Sequence, residues 1–255
     1  MKNTPIGILD MNTDNIAVIN YLHEAFPHEH FIYIYDPDCL QYEGLPEEEI
    51  NIRVQKNLDY LMLRQVKMIL TVSNAIYEYC KPLLDQIPVP VVNIVDSIVD
   101  EVNNSYEHKN MVFLANELMV QSNLYQKNLK YNHLYAIFAD SLNNLVKEQK
   151  MKTSESFRVT RDVFRLVIAK DVDLIIPVNV NLMLLRTEIH EYLPEADILD
   201  LGQLLVEKTK AALLTTDHLE HRGKGIIELP QLKKEAKSSF EKILLMKHII
   251  WMKNN

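Results

Sequence analysis

Short apolar runs alternate with segments of helical periodicity along almost the whole chain. Within each run nearly every residue is apolar, which is typical of a strand that is buried on both faces of a parallel sheet. The runs occupy residues 6–9, 31–35, 68–72, 91–95, 111–114, 135–138, 174–176 and 198–199. Strands that alternate with helices predict βαβ units with right-handed crossovers. We therefore expect an α/β protein with mainly parallel sheets flanked by helices.

The segments between these runs place apolar residues three and four positions apart, as amphipathic helices do. Ile16, Ile19 and Leu22 form one such stripe. The last segment, residues 232–252, is long and amphipathic and is predicted to form a closing helix. Residues 96–108 are rich in polar side chains, and this composition predicts a domain break between the strands on either side.

The composition of the chain restricts which partners it can bind and in which cellular compartment it is expected. The 255 residues are 47% hydrophobic, which is enough for a packed core. The net charge of −8 argues against nucleic acid, because a phosphate backbone is bound by Lys and Arg. No apolar run is long enough to cross a bilayer, and the polar start of the chain predicts no secretory signal. Two cysteines form no disulfide framework, so we expect a cytoplasmic protein.

Glycine is scarce, with five residues in the chain and no cluster of them. A loop that cradles phosphate needs clustered glycines, so that backbone amides can approach the anion. A nucleotide-binding fingerprint of that kind is therefore not expected.

Polar residues follow several of the predicted strands. They include Asp10, Asp36, Ser73, Asn74 and Asn116. In open α/β sheets, ligands bind at the carboxyl ends of the strands. A ligand site is therefore expected where these residues lie.

The segments that carry these residues resemble glutamate racemase, of the aspartate/glutamate racemase superfamily. Residues 5–10 are similar to the family's opening strand, which ends in Asp. Residues 36–43 are similar to Asp-Thr-Ala-Arg-x-Pro-Tyr-Gly and keep the Asp and, at Tyr42, the Tyr. Residues 66–75 are similar to the strand that delivers Ala-Cys-Asn-Thr, and Asn74 matches its Asn.

Two later segments extend the resemblance over nearly the whole chain. Residues 112–125 are similar to Leu-Ala-Thr-x-Gly-Thr-Val-x-Ser-x-x-Tyr, with Asn116 and Met119 at the two Thr positions. Residues 173–182 are similar to the strand that carries Gly-Cys-Thr-His-Tyr-Pro, with Val178 at the Cys position. The ordered series supports the fold more strongly than the activity.

The resemblance implies two pseudo-symmetric lobes with a cleft between them. We assign residues 1–97 and 205–255 to the first lobe and residues 98–204 to the second. Members of this family often pair, so the resemblance also implies a homodimer. A role in cell-wall (peptidoglycan) metabolism, with a small acidic amino acid or related metabolite as ligand, is implied by the family alone.

The residues at the two catalytic positions of the family cannot perform its chemistry. In the family, one thiolate removes the α-proton and a second thiol returns a proton from the opposite face, without a cofactor. Here Ser73 and Val178 occupy the two Cys positions. A thiol serves because its pKa, ~8.5 when unperturbed, can be lowered by its surroundings, whereas a Ser hydroxyl lacks that accessibility. Asp10 could still act as a carboxylate base, but no second base on the opposite face is evident.

The candidate site therefore comprises six residues. The catalytic positions are Asp10, Ser73 and Val178, and the ligand-binding candidates are Tyr42, Asn74 and Asn116. As structural alternatives, Asp10 could merely cap a turn, Ser73 and Asn74 could cap the next helix, and Tyr42 could pack. No cofactor and no metal are expected.

Two cysteines and a group of histidines are further candidates for chemistry. Cys39, in a loop at the appropriate end of the sheet, is the better catalytic candidate of the two, and Cys80 falls within a helix, where a buried small hydrophobe is expected. A structural role is favoured for both. His23, His28 and His30 span a helix end and a loop without an evident carboxylate or Cys partner, so a solvated surface is favoured over a metal site.

Three hypotheses about function remain open. The first is a catalytically inactive, racemase-like protein (a pseudoenzyme) that binds a small acidic metabolite or a protein partner. The second is an active amino-acid racemase or isomerase of altered mechanism, with Asp10 and Cys39 as candidate catalytic groups. The third is a structural or regulatory dimer whose cleft is closed by Met11, Met119 and Val178.

Overall fold

The computed structural model describes residues 3–38, 42, 45–233, 237–244 and 249–250. The strands are β1 Ile6–Leu9, β2 Phe31–Ile34, β3 Met68–Thr71, β4 Val91–Asn93, β5 Lys109–Ala115, β6 Tyr131–Phe138, β7 Leu174–Pro177, β8 Asp197–Ile198, β9 Ile227–Glu228 and β10 Ile249–Ile250. The α-helices are α1 Val18–Ala25, α2 Glu47–Leu63, α3 Asn74–Leu84, α4 Ile94–Ser105, α5 Glu117–Ser122, α6 Leu124–Asn128, α7 Asp140–Lys147, α8 Ser154–Phe164, α9 Arg186–Tyr192, α10 Leu201–Thr215 and α11 Lys237–Ile243. A 3-10 helix spans Val180–Leu185.

The chain divides into two compact units. Unit 1 comprises Met1–Ser97 and Gly202–Asn255, and unit 2 comprises Ile98–Leu201. The polypeptide therefore leaves unit 1 once, builds unit 2 from a continuous segment, and returns to unit 1 with α10. The segment predicted to be a polar domain break is mostly helical, because α4 runs through it as far as Ser105.

Unit 1 is built on a parallel sheet with the strand order β10-β9-β2-β1-β3-β4. The central strand β1 pairs with β2 and β3, and its last residue, Leu9, lies beside Ile34 and Thr71. The four residues of β1 are all buried, as expected of a strand covered on both faces. Helices α2 and α3 pack on one face of this sheet, and their apolar residues form a core cluster with Leu9, Ile34 and other strand residues.

Unit 2 has a second parallel sheet, with the strand order β6-β5-β7-β8. Its core joins the central strands to α7, α8, α9 and the 3-10 helix through residues such as Val112, Leu142, Phe164, Ile175 and Ile189. The predicted fold class, an α/β fold with parallel sheets flanked by helices, is thus confirmed. Within the described ranges, none of the helices combines the length and the apolar content that crossing a membrane requires.

The prediction of one long closing helix over residues 232–252 is wrong. In the described part of this segment, α11 ends at Ile243, and Ile249–Ile250 form a short strand that pairs with β9. A two-residue apolar run satisfies a helical stripe and a sheet edge equally well, so periodicity alone does not separate the two. Trp251 and Met252, which belonged to the same prediction, lie outside the described residues.

Candidate active site

Asp10 is the polar residue at the carboxyl end of the central strand of unit 1. Its side chain is 1% exposed, and four donors converge on it. The Met11 backbone amide (2.9 Å) and the Asn15 side-chain amide (3.3 Å) donate to Oδ1. The Tyr33 hydroxyl (2.6 Å) and the Asn15 backbone amide (3.2 Å) donate to Oδ2. Since a carboxylate has about four acceptor positions, this side chain is fully engaged in holding the loop between β1 and α1.

Burial has the largest effect on the pKa of the Asp10 carboxyl group. Removal from water raises the pKa of Asp10 from 3.8 to about 7, and the nearby Asp14 carboxylate adds to the increase. The hydrogen bonds from Tyr33, Asn15 and Met11 act in the opposite direction, because they stabilise the ionised form. Asp10 therefore takes up a proton at a much higher pH than an exposed aspartate does.

Ser73 and Asn74 lie at the same edge of the sheet, after the neighbouring strand β3. Ser73 is the N-cap residue of α3, and its side chain makes no capping hydrogen bond. Both residues are more than nine-tenths buried. The structure thus brings Asp10, Ser73 and Asn74 to the ends of two paired strands, as predicted from the order of the chain.

Sequence reasoning missed a polar cluster beside these residues. The Tyr77 hydroxyl on α3 donates to Asp96 Oδ1 at 2.9 Å, and the Asn93 side-chain amide donates to Asp96 Oδ2 at 2.6 Å. The Asp96 backbone amide donates in turn to Asn93 Oδ1 at 2.7 Å, which caps the first turn of α4. The sequence signal for this cluster is an Asn followed three residues later by an Asp at the start of a helix. The polar character of Asp96 and Ser97 predicts a domain break as readily as a helix start.

The candidate residues that follow β2 make structural contacts within unit 1. Asp36 Oδ2 accepts a hydrogen bond from the Arg53 guanidinium at 3.0 Å, which joins the end of β2 to α2. Tyr42 is half-buried and packs against the core cluster under α2 and α3. The packing alternative for Tyr42 therefore has direct support. Cys39 lies outside the described residues.

The unit 2 candidates lie at the carboxyl ends of β5 and β7, which are paired. Asn116 is the N-cap of α5, and its Oδ1 accepts from the Met119 backbone amide at 2.9 Å. Val178 is buried, and the next residue, Asn179, caps the 3-10 helix by accepting from the Leu182 amide at 3.1 Å. Neither Asn116 nor Val178 carries an ionisable group, so these two positions offer no acid or base.

Cys80 behaves as the small buried hydrophobe that its helical position predicts. It is fully buried in the core cluster of unit 1. Burial, with a smaller contribution from Glu47, raises the pKa of the Cys80 thiol to about 12. It also lies six residues after Asn74, about 9 Å along the axis of α3. It is therefore no substitute for a thiol at the end of β3.

We expect Cys80 to resist thiol reagents in the folded protein. In a Cys39→Ser variant, Cys80 is the one remaining cysteine. A pKa raised from 9.0 to about 12 lowers the thiolate population at pH 8 by about a thousandfold, and burial also blocks access. Labelling by a disulfide reagent should therefore be at least that much slower in buffer than in denaturant. Rapid labelling of the folded variant would contradict the burial of this thiol.

His28 and His30, in the loop before β2, contact the segment that returns to unit 1 after α10, and His30 has a carboxylate partner that the sequence did not reveal. His30 Nε2 lies 2.7 Å from a carboxylate oxygen of Glu228, and His28 Nδ1 lies 3.1 Å from the Gly223 carbonyl oxygen. Across the described residues, no group of three His, Cys, Asp or Glu side chains is arranged to hold a metal ion.

The chain is similar to glutamate racemases in sequence and in fold. The chain is 26% identical over 211 residues to a glutamate racemase of Streptococcus pneumoniae, covering 79% of this chain and 78% of that relative. It is 23% identical over 216 residues to a glutamate racemase of Lactobacillus acidophilus, covering 82% and 80%. The crystal structure of Francisella tularensis glutamate racemase in complex with D-glutamate superposes with a TM-score of 0.83 at 17% identity, covering 99% of this chain and 98% of that one. No protein-family model matches the chain.

The parallel α/β sheets and the matching relatives support a relationship to the aspartate/glutamate racemase superfamily. Within that superfamily, the chain is a homologue of the glutamate racemases, at about a quarter identity over most of its length.

Proposed function

We propose that this chain is a glutamate racemase homologue that does not racemise amino acids by the two-thiol route, and that it binds a small acidic amino acid or related metabolite. The observation that carries the proposal is the chemistry at the end of β3. Ser73 holds the position after Val72, and the thiol nearest in sequence among the described residues, Cys80, is buried with a pKa of about 12.

Both groups that would transfer a proton in the two-thiol reaction are replaced in this chain. General acid-base help is typically worth ~10²- to 10⁴-fold, and the reaction needs a group on each face of the α-carbon. A serine hydroxyl does not ionise near neutral pH as an activated thiol does, and Val178 does not ionise at all. With neither group present, rapid α-proton exchange has no evident source.

The polar residues at the sheet edges support ligand binding. Ser73 is not used as a helix cap, so its hydroxyl is available for another contact. Asn74 and Asn116 begin helices at the carboxyl ends of β3 and β5, where α/β sheets bind ligands. The related Francisella tularensis racemase is described in complex with D-glutamate. We therefore assign Ser73 and Asn74, at the edge of the unit 1 sheet, to a site for a small acidic ligand.

One observation favours the alternative of an active isomerase with altered groups. A carboxyl group with a pKa of about 7 is suited to proton transfer near neutral pH, and Asp10 is such a group. Against this role, both oxygens of Asp10 already accept two hydrogen bonds each from its own unit. Asp10 therefore has no acceptor position left for a substrate proton unless one of these bonds breaks.

The proposal predicts no deuterium exchange at the α-carbon of glutamate or aspartate in heavy water. NMR would follow both enantiomers of each amino acid, with a Streptococcus pneumoniae glutamate racemase as the active reference. A variant with Asp10→Asn and Cys39→Ala serves as the matched control. Exchange by the parent that is absent from this variant would establish an active enzyme with relocated catalytic groups.

Binding is tested in the same samples. Glutamate is expected to shift backbone amide resonances around residues 73–74, and Asn74→Ala is expected to weaken the affinity by about tenfold, the equivalent of one lost hydrogen bond. Absence of both exchange and binding would reject the ligand-binding proposal and favour a structural or regulatory role.

We also propose a cytoplasmic location. The chain has two cysteines, and Cys80 is a free, buried thiol, as is usual in a reducing compartment.

A further inference from the structure

A cavity of about 330 Å³ lies at the amino-terminal edge of the unit 1 sheet, across the sheet from the candidate active site. Its walls come from the segments just before β1, β2 and β9, and they include Thr4, His30 and Ile226. Sites for small molecules begin at about this volume, roughly 300 Å³. The cavity is therefore large enough to hold a small ligand, and it is separate from the residues at the carboxyl ends of the strands.

One wall of the cavity is a loop, residues 218–226, that is fixed against the segment before β2. The Glu220 backbone amide donates to Glu29 Oε1 at 2.9 Å. At the other end of the loop, the Phe31 amide donates to the Ile226 carbonyl oxygen at 2.8 Å. Because both ends are held, the side chains of this loop are presented from a preorganised backbone.

Two glycines allow this loop to approach the neighbouring segment closely. A β-carbon at Gly223 would lie 2.1 Å from the His28 carbonyl oxygen, and one at Gly225 would lie 2.2 Å from the Pro27 carbonyl oxygen. Gly225 also has a φ of +63°, which favours glycine. The His28 ring adds a contact, since its Nδ1 lies 3.1 Å from the Gly223 carbonyl oxygen. Close packing thus accounts for the glycines, but it does not account for the charged residues beside them.

Two cations line the cavity without an ion pair. Arg222 and Lys224 are exposed, and neither pairs with a carboxylate among the described residues. Glu29 and Glu220 also line the cavity. Glu29 is neutralised by the buried Lys67 ammonium at 2.6 Å, and Glu220 Oε1 already accepts from the Arg222 backbone amide at 2.7 Å. These charges leave the cavity with a net positive charge, in a chain whose net charge is −8.

We propose that this cavity binds a small phosphate-bearing anion, which Arg222 and Lys224 hold through charge-assisted hydrogen bonds. A guanidinium can donate two parallel hydrogen bonds to phosphate oxygens, and an ammonium adds a compact positive charge. A phosphate group carries close to two negative charges at neutral pH, so two unpaired cations favour it over a single carboxylate. Asn3, which also lines the cavity, supplies a neutral amide donor. This inference does not depend on the proposed amino-acid ligand.

Titration with inorganic phosphate, followed by NMR at constant ionic strength, tests the site. Phosphate is expected to shift the amide resonances of residues 220–225 with a dissociation constant on the order of 1 mM. Arg222→Gln and Lys224→Gln are each expected to weaken binding by about tenfold, the equivalent of one lost charge-assisted hydrogen bond. Arg165→Gln and Lys170→Gln, which remove exposed cations of unit 2, are the matched controls and should bind phosphate as the parent does. All four side chains are exposed, so the variants should unfold at the same temperature as the parent when phosphate is absent.

Three outcomes would overturn the proposal. The first is the absence of shifts in residues 220–225 at tens of millimolar phosphate. The second is undiminished binding in both Arg222→Gln and Lys224→Gln. The third is equal weakening by the unit 2 variants, because the phosphate would then be an adventitious ion only, attracted by general charge.

Glutamate distinguishes this site from the one proposed at the opposite edge of the sheet. In place of phosphate, glutamate is expected to leave residues 220–225 unshifted, whether or not it shifts residues 73–74. If glutamate produced the same loop shifts as phosphate, the cavity would be a general carboxylate site and the assignment to phosphate would be wrong.

Discussion

Replacing Lys67 with methionine is expected to lower the free energy of unfolding by about 3–5 kcal/mol. The Lys67 ammonium lies 2.6 Å from Glu29 Oε2, and the two side chains are 0% and 1% exposed. Removing the cation leaves the Glu29 carboxylate buried without its counter-charge. The loss is large because the desolvation cost of the remaining charge is no longer offset.

The position of this ion pair adds to its effect. Glu29 precedes β2 and Lys67 precedes β3, so the pair joins two segments at the amino-terminal edge of the unit 1 sheet, opposite the candidate site. Lys67 Nζ also donates to the His218 carbonyl at 2.7 Å, and Glu29 Oε1 accepts from the Glu220 amide at 2.9 Å. The pair therefore holds the polypeptide that returns from unit 2 after α10.

Urea unfolding of three variants separates the pair from a general effect of losing a lysine. Lys81→Met, which removes a cation from an exposed pair with Asp85, is expected to change the free energy of unfolding by no more than about 1 kcal/mol. Lys67→Met combined with Glu29→Gln should recover much of the loss, because no unpaired charge is left buried. A Lys67→Met variant as stable as Lys81→Met would refute the role assigned to the pair.

The fold was predictable because its signal is local and repeated. The apolar runs predicted at residues 6–9, 31–35 and 68–72 contain β1, β2 and β3, all fully buried. Strands that are hydrophobic on both faces have few alternatives to a covered parallel sheet. By contrast, the closing segment had a pattern that fits either a helix or an edge strand, and only tertiary contacts decide between them.

The side-chain contacts that join the elements of unit 1 could not be predicted from a sequence pattern. Glu29 and Lys67 are 38 residues apart and neither sits in a motif. Their pairing depends on β2 and β3 flanking β1 on either side. The sequence order of Asp10 and Ser73 predicted that they would lie at one edge of the sheet, but not that Tyr33 and Asn15 would occupy the Asp10 carboxylate. Side-chain partners that come from different elements are set by packing, which local sequence does not encode.

Asp10 is expected to make the protein less stable as the pH rises from 4 to 8. Its pKa is about 7 in the folded protein and about 3.8 in the unfolded chain. Between these values the folded state keeps a proton that the unfolded state has lost, so the free energy of unfolding falls with increasing pH. The contribution is fully present below pH 3.8 and is lost as the pH passes through 7. About three pKa units correspond to about 4 kcal/mol.

Asp10→Asn isolates this contribution, because an amide is neutral throughout the range. The difference in free energy of unfolding between parent and Asp10→Asn should shift by about 4 kcal/mol in favour of the variant from pH 4 to pH 8, whatever the offset at either end. Tyr33→Phe provides the directional control. The Tyr33 hydrogen bond lowers the pKa of Asp10, so its removal should move the upper end of the transition above pH 7. A pH-independent difference would mean that the four donors outweigh burial and keep Asp10 ionised, which would make it a fixed negative charge at the end of β1.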